Sequence, residues 1–93
     1  MDNAEAKALL QSHLQTYRAR SYAELAALID SVQVAQLAGA GGVEYQVEIN
    51  FAWDDRAGGN IRVIGSIDDG GWRAFIPLCD SFIMAPDGTF VGE

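Results

Sequence analysis

The sequence predicts an α+β fold: two N-terminal helices packed on one face of an antiparallel meander sheet of about four strands, with a short C-terminal hairpin. Three observations carry this. Up to Asp30 the apolar side chains recur at helical spacing. From Val32 the period changes to two, and glycine-rich acidic turns cut that second part into strand-length pieces. Of the 93 residues, 49% are apolar and 20% charged, enough for one core and a single domain over residues 1–93.

Asp2 followed by Glu5 fits a capping box, in which each side chain satisfies an orphan amide of the first turn. Ala6, Leu9, Leu10, Leu14 and Tyr17 then form one apolar stripe. Arg18 and Arg20 close this helix, where cations suit the macrodipole. Ser21 and Glu24 repeat the capping box and start a second helix, whose apolar face is Tyr22, Leu25, Ala26, Leu28 and Ile29.

Val32 to Ala38 reads as a weak strand ended by Gly39-Ala40-Gly41-Gly42. The clearest strand follows: Val43, Tyr45, Val47, Ile49, Phe51 and Trp53 alternate with Glu44, Gln46, Glu48, Asn50 and Ala52, giving one buried face and one wetter face. Asp54 to Gly59 turns the chain, and Ile61 to Ile67 makes the next strand. Asp69-Gly70 is a hairpin signal, because the favoured two-residue turn needs positive φ at both central positions. It predicts a strand over Trp72 to Ile76, with Ile67 facing Trp72, Gly65 facing Ala74 and Val63 facing Ile76; Pro77 then ends the pairing. Gly65 and Ala74 would leave a flat patch where a helix can approach closely. Phe82 to Ala85, Pro86-Asp87-Gly88 and Thr89 to Val91 form the last short hairpin.

Six basic against 13 acidic residues give a net charge of −7. Such a surface repels phosphates and anionic headgroups, so neither nucleic acid nor membrane is an expected partner. The lone Cys79 rules out an internal disulfide, and no Cys-x-x-Cys pair suggests zinc or redox work. With no secretory pattern and no apolar run of membrane-spanning length, the expected location is cytoplasmic. A chain of this length buries only about 60–65% of its unfolded surface, so a homodimer is expected on grounds of marginal size.

Catalytic and metal constellations fail on geometry. Asp54-Asp55 and Asp68-Asp69 cap opposite ends of one strand, on the order of 20–25 Å apart. A calcium loop opening at Asp68 would need a glutamate where Cys79 stands. Acidic residues beside glycine are what tight turns use. Nothing places Cys79, His13 and an aspartate together as nucleophile, base and orienter. The glycine turns lead into strands and not helix N-termini, and the single lysine, Lys7, follows none of them, so no phosphate cradle forms. Base stacking on Trp53, Trp72, Tyr45 or Phe75 would lack a basic track. No catalytic residue, metal or cofactor is expected, and the chain reads as no enzyme.

Two surfaces remain. The predicted register sets Ile64 beside Phe75 on the outer sheet face, ringed by Arg62, Arg73, Glu48 and Asn50, an apolar patch with charges suited to a protein partner. Between helices and sheet, Tyr17, Tyr22, Trp53 and Trp72 would line a small-ligand pocket if they do not simply form the core.

Residues Ala6 to Ile29, with Tyr17-Arg18-Ala19-Arg20-Ser21-Tyr22 between the helices, resemble the opening of nuclear-transport-factor-2-like domains. That resemblance implies a cone-shaped fold, often dimeric, with a pocket between helix and sheet. The chain departs from it in being short and in lacking an evident third helix. The segment Gly65-Ser66-Ile67-Asp68-Asp69-Gly70-Gly71-Trp72-Arg73-Ala74-Phe75, with Ala85-Pro86-Asp87-Gly88-Thr89-Phe90-Val91-Gly92-Glu93, is similar to a group of small bacterial proteins of unknown function. It implies a fold and no activity. The leading expectation is therefore a non-catalytic protein-binding module, and the alternative is a small-ligand-binding domain of the nuclear-transport-factor-2-like kind.

Overall fold

The computed structural model describes residues 1–71 and 77–93. Helix α1 spans Asn3–Arg18 and helix α2 spans Tyr22–Ala26; strands β1 (Val32–Ala38), β2 (Glu44–Trp53), β3 (Ile61–Asp68) and β4 (Leu78–Met84) follow. The four strands form one antiparallel sheet in the order β1-β2-β3-β4, so the α+β meander stands. No helix among the described residues is long and apolar enough to cross a membrane.

The α1 stripe forms because Ala6, Leu10, Leu14 and Tyr17 share one face, and all four are buried against the sheet. The sheet answers with Tyr45, Val47, Ile49 and Phe51 from β2 and with Ile61, Val63 and Ile67 from β3, all buried. Burying each such aliphatic side chain stabilises the fold by about 1.5–3 kcal/mol. Helix and sheet come together at Gly65, where an added Cβ would stand 2.8 Å from Leu10 Cδ1. The predicted close approach at Gly65 is there; Ala74 lies outside the described residues.

The two capping boxes differ. Ser21 and Glu24 form a complete one: the Ser21 hydroxyl accepts from Glu24 N–H at 3.1 Å and Ser21 N–H donates to Glu24 Oε1 at 3.2 Å. At α1, Asp2 accepts from Glu5 N–H at 3.0 Å, but Glu5 does not reciprocate. Its carboxylate accepts instead from Ala40 N–H at 3.1 Å and from the Tyr45 hydroxyl at 2.9 Å. A carboxylate gains more from two donors in a half-buried setting than from one frayed amide. The second helix is also shorter than its apolar pattern suggests. After Ala26 the chain continues in turns to Asp30, which has φ 66°, while Leu28 and Ile29 still pack against the core.

The predicted pairing of β3 is overturned. Its second edge is taken by Leu78–Met84, with Ile67 opposite Leu78, Gly65 opposite Asp80 and Val63 opposite Phe82. None of these three therefore faces Trp72, Ala74 or Ile76 in that register; the predicted strand Trp72–Ile76 itself lies outside the described residues. The predicted two-residue turn is not formed either: Gly70 has φ 85°, but Asp69 is not in the positive-φ region, and Asp68 and Asp69 instead accept from the N–H groups of Gly70 and Gly71. Local turn residues fix where the chain bends, not which downstream segment comes back to pair. In the tail, Ala85 N–H donates to Thr89 O, Val91 N–H donates to Ile83 O, and Met84 bridges Phe90, so the chain folds back on β4 as expected.

Candidate functional site

Antiparallel alternation sorts every strand residue onto one of two sheet faces. The inner face lies under α1. The outer face, as the registers build it, runs in rows across the sheet: Val32, Asn50, Ile64 and Ser81 in one; Val34, Glu48, Ser66 and Cys79 in the next; Ala52, Arg62 and Ile83 in a third. The predicted interface residues Glu48, Arg62 and Ile64 thus share this face. Arg73 and Phe75, the other two, lie outside the described residues, and Ile64 is opposite Ser81 across the β3–β4 pair.

Two residues that sequence reasoning left unassigned enlarge the patch. Val32 and Val34 are 50% and 57% exposed, and both stand on the outer face of β1. Val32 flanks Asn50 on one side as Ile64 does on the other. The signal that finds them is the tight Gly39-Ala40-Gly41-Gly42 connection, which fixes the β1–β2 register and hence the face of each valine.

The electrostatics differ from a patch ringed by free arginines. Arg62 gives two hydrogen bonds to Asp54 Oδ1, at 3.0 Å from Nε and 2.7 Å from one terminal nitrogen. Its charge is largely neutralised by this neighbour. Glu44 and Glu48 are exposed on the same face, and among the described residues neither has an ion-pair partner. Among the described residues, the uncompensated charge of the face is therefore negative.

The predicted pocket residues sit otherwise. Tyr17 is buried, only 7% exposed, and meets the Phe51 ring edge-on at 5.4 Å. Tyr22 donates its hydroxyl to Gly59 O at 2.7 Å, and Trp53 is half-buried against the core. Trp72 is outside the described residues. Two shallow clefts flank α1 elsewhere. One, lined by Leu9, Ser12, His13, Thr16 and Leu37, lies towards β1; burial there lowers the His13 pKa below its ordinary value. The other, lined by Gln11, Gln15, Arg18, Asp80 and Ser81, lies towards β4. Its arginine is engaged: Arg18 holds both Glu93 carboxylate oxygens, at 2.7 and 2.6 Å, and stacks over Phe82 and Phe90. That pairing raises the Arg18 pKa and lowers that of Glu93.

Among the described residues no three His, Cys, Asp or Glu side chains are placed to hold a metal. Cys79 is exposed on the outer face of β4, and His13 stands on α1, on the far side of the sheet. Comparison with protein-family models, curated proteins and solved structures finds no match.

Proposed function

We propose that this chain is a non-catalytic protein-binding module whose docking face is the outer face of the sheet. The observation that carries the reading is the pair Val32 and Val34, each half-exposed or more on a regular strand, on the same face as Ile64 and separated from it by Asn50 and Glu48 of β2. Strands already paired in a sheet present these side chains at a lower ordering cost than a loop would. With Arg62 neutralised by Asp54 and with Glu44 and Glu48 unpaired among the described residues, the face suits a partner whose apolar patch is rimmed by lysine or arginine.

The small-ligand reading draws less support. Tyr17 is buried on Phe51 and the Tyr22 hydroxyl is spent on Gly59 O, so these side chains fill space between helix and sheet.

Affinity capture from the native host's extract, with the natural chain and Ile64→Asp side by side, tests the proposal. Ile64 is only half-buried, so the variant is expected to keep the natural thermal melt. A partner with a basic rim that the natural chain retains and Ile64→Asp loses supports the docking face. Equal recovery of the same partner by both chains refutes it, as does a natural chain that returns nothing but itself.

A further inference from the structure

The two edges of the sheet are treated differently. Edge β4 is shielded in the ways native sheets avoid unwanted pairing. Asp80 places a charge on its inner side, opposite Gly65, and the chain's own residues Thr89 to Val91 bond back along it. Edge β1 has no such device among the described residues. Val32-Gln33-Val34-Ala35-Gln36-Leu37-Ala38 contains no charge, no proline and no bulge in a chain of net charge −7.

The phase of the free edge follows from one bond. Gly39 N–H donates to Val43 O, so Gly39 and Val43 form a hydrogen-bonded pair of the antiparallel ladder. Such pairs alternate, so Gln33, Ala35 and Leu37 direct their backbone groups to β2. Val32, Val34, Gln36 and Ala38 direct theirs away from it, and among the described residues no other backbone group bonds to them.

The geometry points to a second copy of this chain as the occupant of that edge, with β1 paired to β1 antiparallel about a two-fold axis at Ala35. In this register all seven residues overlap: Val34 faces Gln36 of the other copy, Val32 faces Ala38, and Ala35 faces itself. Every outward N–H and C=O then finds a partner, and each half-exposed valine gains a cross-strand neighbour, Gln36 or Ala38 of the other copy. Within the strands, charge allows it: the nearest strand carboxylates, on β2, face the other copy's β2 across three strand spacings, about 14 Å, beyond the Debye length of about 8 Å. Asp30, which comes opposite Ala40 of the other copy, is exposed to solvent that screens it. The axis is normal to the sheet, so both α1 helices lie on one side and both outer faces merge into one. This inference concerns the edge and stands whether or not the outer face binds a further partner.

Sedimentation velocity over a concentration series from low micromolar to near-millimolar reads the mass. The natural chain is expected as a dimer. Gln36→Pro removes an outward N–H from each copy and is expected to raise the dissociation constant about thirtyfold or more. Gln36→Lys, exposed and harmless to the fold, sets like charges diagonally across the seam and shifts the equilibrium the same way. In a Cys79→Ser background, Ala35→Cys is expected to form an intermolecular disulfide on mild oxidation, because that central pair brings its Cα atoms to about 4.5 Å. A natural chain that stays monomeric throughout overturns the inference. So does a dimer that Gln36→Lys leaves intact, or an Ala35→Cys chain that fails to cross-link as a dimer. Ile64→Asp, two strands from the edge, is expected to leave the dimer unchanged; a dimer lost with it and kept with Gln36→Lys pairs through the face and also overturns the edge.

Discussion

Replacing Gly65 by alanine adds one methyl group at the point where α1 meets the sheet. The new Cβ would stand 2.8 Å from Leu10 Cδ1, 3.1 Å from Ile49 Cδ1 and 3.2 Å from Leu14 Cδ2. All three neighbours are buried, so none can swing into solvent. The backbone raises no objection of its own, because Gly65 is not among the glycines with positive φ. Two terms therefore compete. Alanine restricts the unfolded chain, which stabilises by about 0.4–1 kcal/mol. Overpacking a dense core costs about 1–3 kcal/mol. The clash is three-sided and inside the van der Waals limit, so the second term wins by about 1–2 kcal/mol. For a domain of this size that lowers Tm by about 5–15 °C.

Thermal and urea unfolding followed by circular dichroism measure this change. The urea slope is expected to stay constant, since the exposed surface does not change. A double-mutant cycle with Leu10→Ala isolates the cause. Removing Leu10 Cδ1 opens room for the alanine, so the two losses should sum to less than their separate values by about 1 kcal/mol. A Gly65→Ala chain as stable as the natural one, or a strictly additive cycle, would refute the reasoning.

Ser21→Ala removes the hydroxyl that accepts from Glu24 N–H and is expected to cost about 1 kcal/mol in urea unfolding. Burial, reinforced by the Glu5 carboxylate, pushes the Tyr45 hydroxyl up from 10.0 to about 12. Folding favours the neutral phenol, so its contribution is fully present below pH 10 and is lost as pH rises from about 10 to about 12. Near-ultraviolet titration should show this late phenol in the natural chain, and Tyr45→Phe should remove it and flatten the alkaline loss of stability. Arg18→Ala forfeits the stacking on Phe82 and Phe90, a loss of about 1 kcal/mol by urea unfolding. The same change should return the Glu93 carboxyl, now lowered by the Arg18 hydrogen bonds, towards its ordinary pKa in a nuclear magnetic resonance titration. Stability carried by that carboxylate is present above its ordinary pKa and fades as pH falls through the lowered one.

The helices and the first three strands were legible because each carries its own period. The α1 stripe needs only 3.6-residue spacing, and the β2 alternation needs only its own apolar residues. Only the end of strand β4, within Phe82 to Ala85, was legible. Asp80 interrupts its inner face and Pro77 precedes it, so Leu78, Phe82 and Met84 do not read as one alternating set. The partner of a central strand is a non-local property, decided by how much apolar surface each returning segment buries. The site followed the same division. Glu48, Arg62 and Ile64 were placed on the outer face from strand phase alone, whereas the neutralising Asp54 reaches Arg62 from the β2–β3 loop and leaves no periodic trace.

The departure of Glu5 from its capping box ties these levels together. Among the described residues, strand β1 is paired on one side, by β2, and α1 packs chiefly over β3 and β4. A strand bonded along one edge at the margin of a sheet would ordinarily fray first. Glu5 counters this by reaching from the first turn of α1 to Ala40 N–H, at the turn between β1 and β2, and to the Tyr45 hydroxyl on β2. Gly39 is packed so closely against both side chains that a Cβ there would collide with each. The latch sets the connection, the connection sets the β1–β2 register, and the register decides that Val32 and Val34 face outward while Gln36 offers its amide to the open edge. Glu5, diverted from the cap into a turn, thus ties α1 to the register that orients the proposed docking face and the proposed pairing edge.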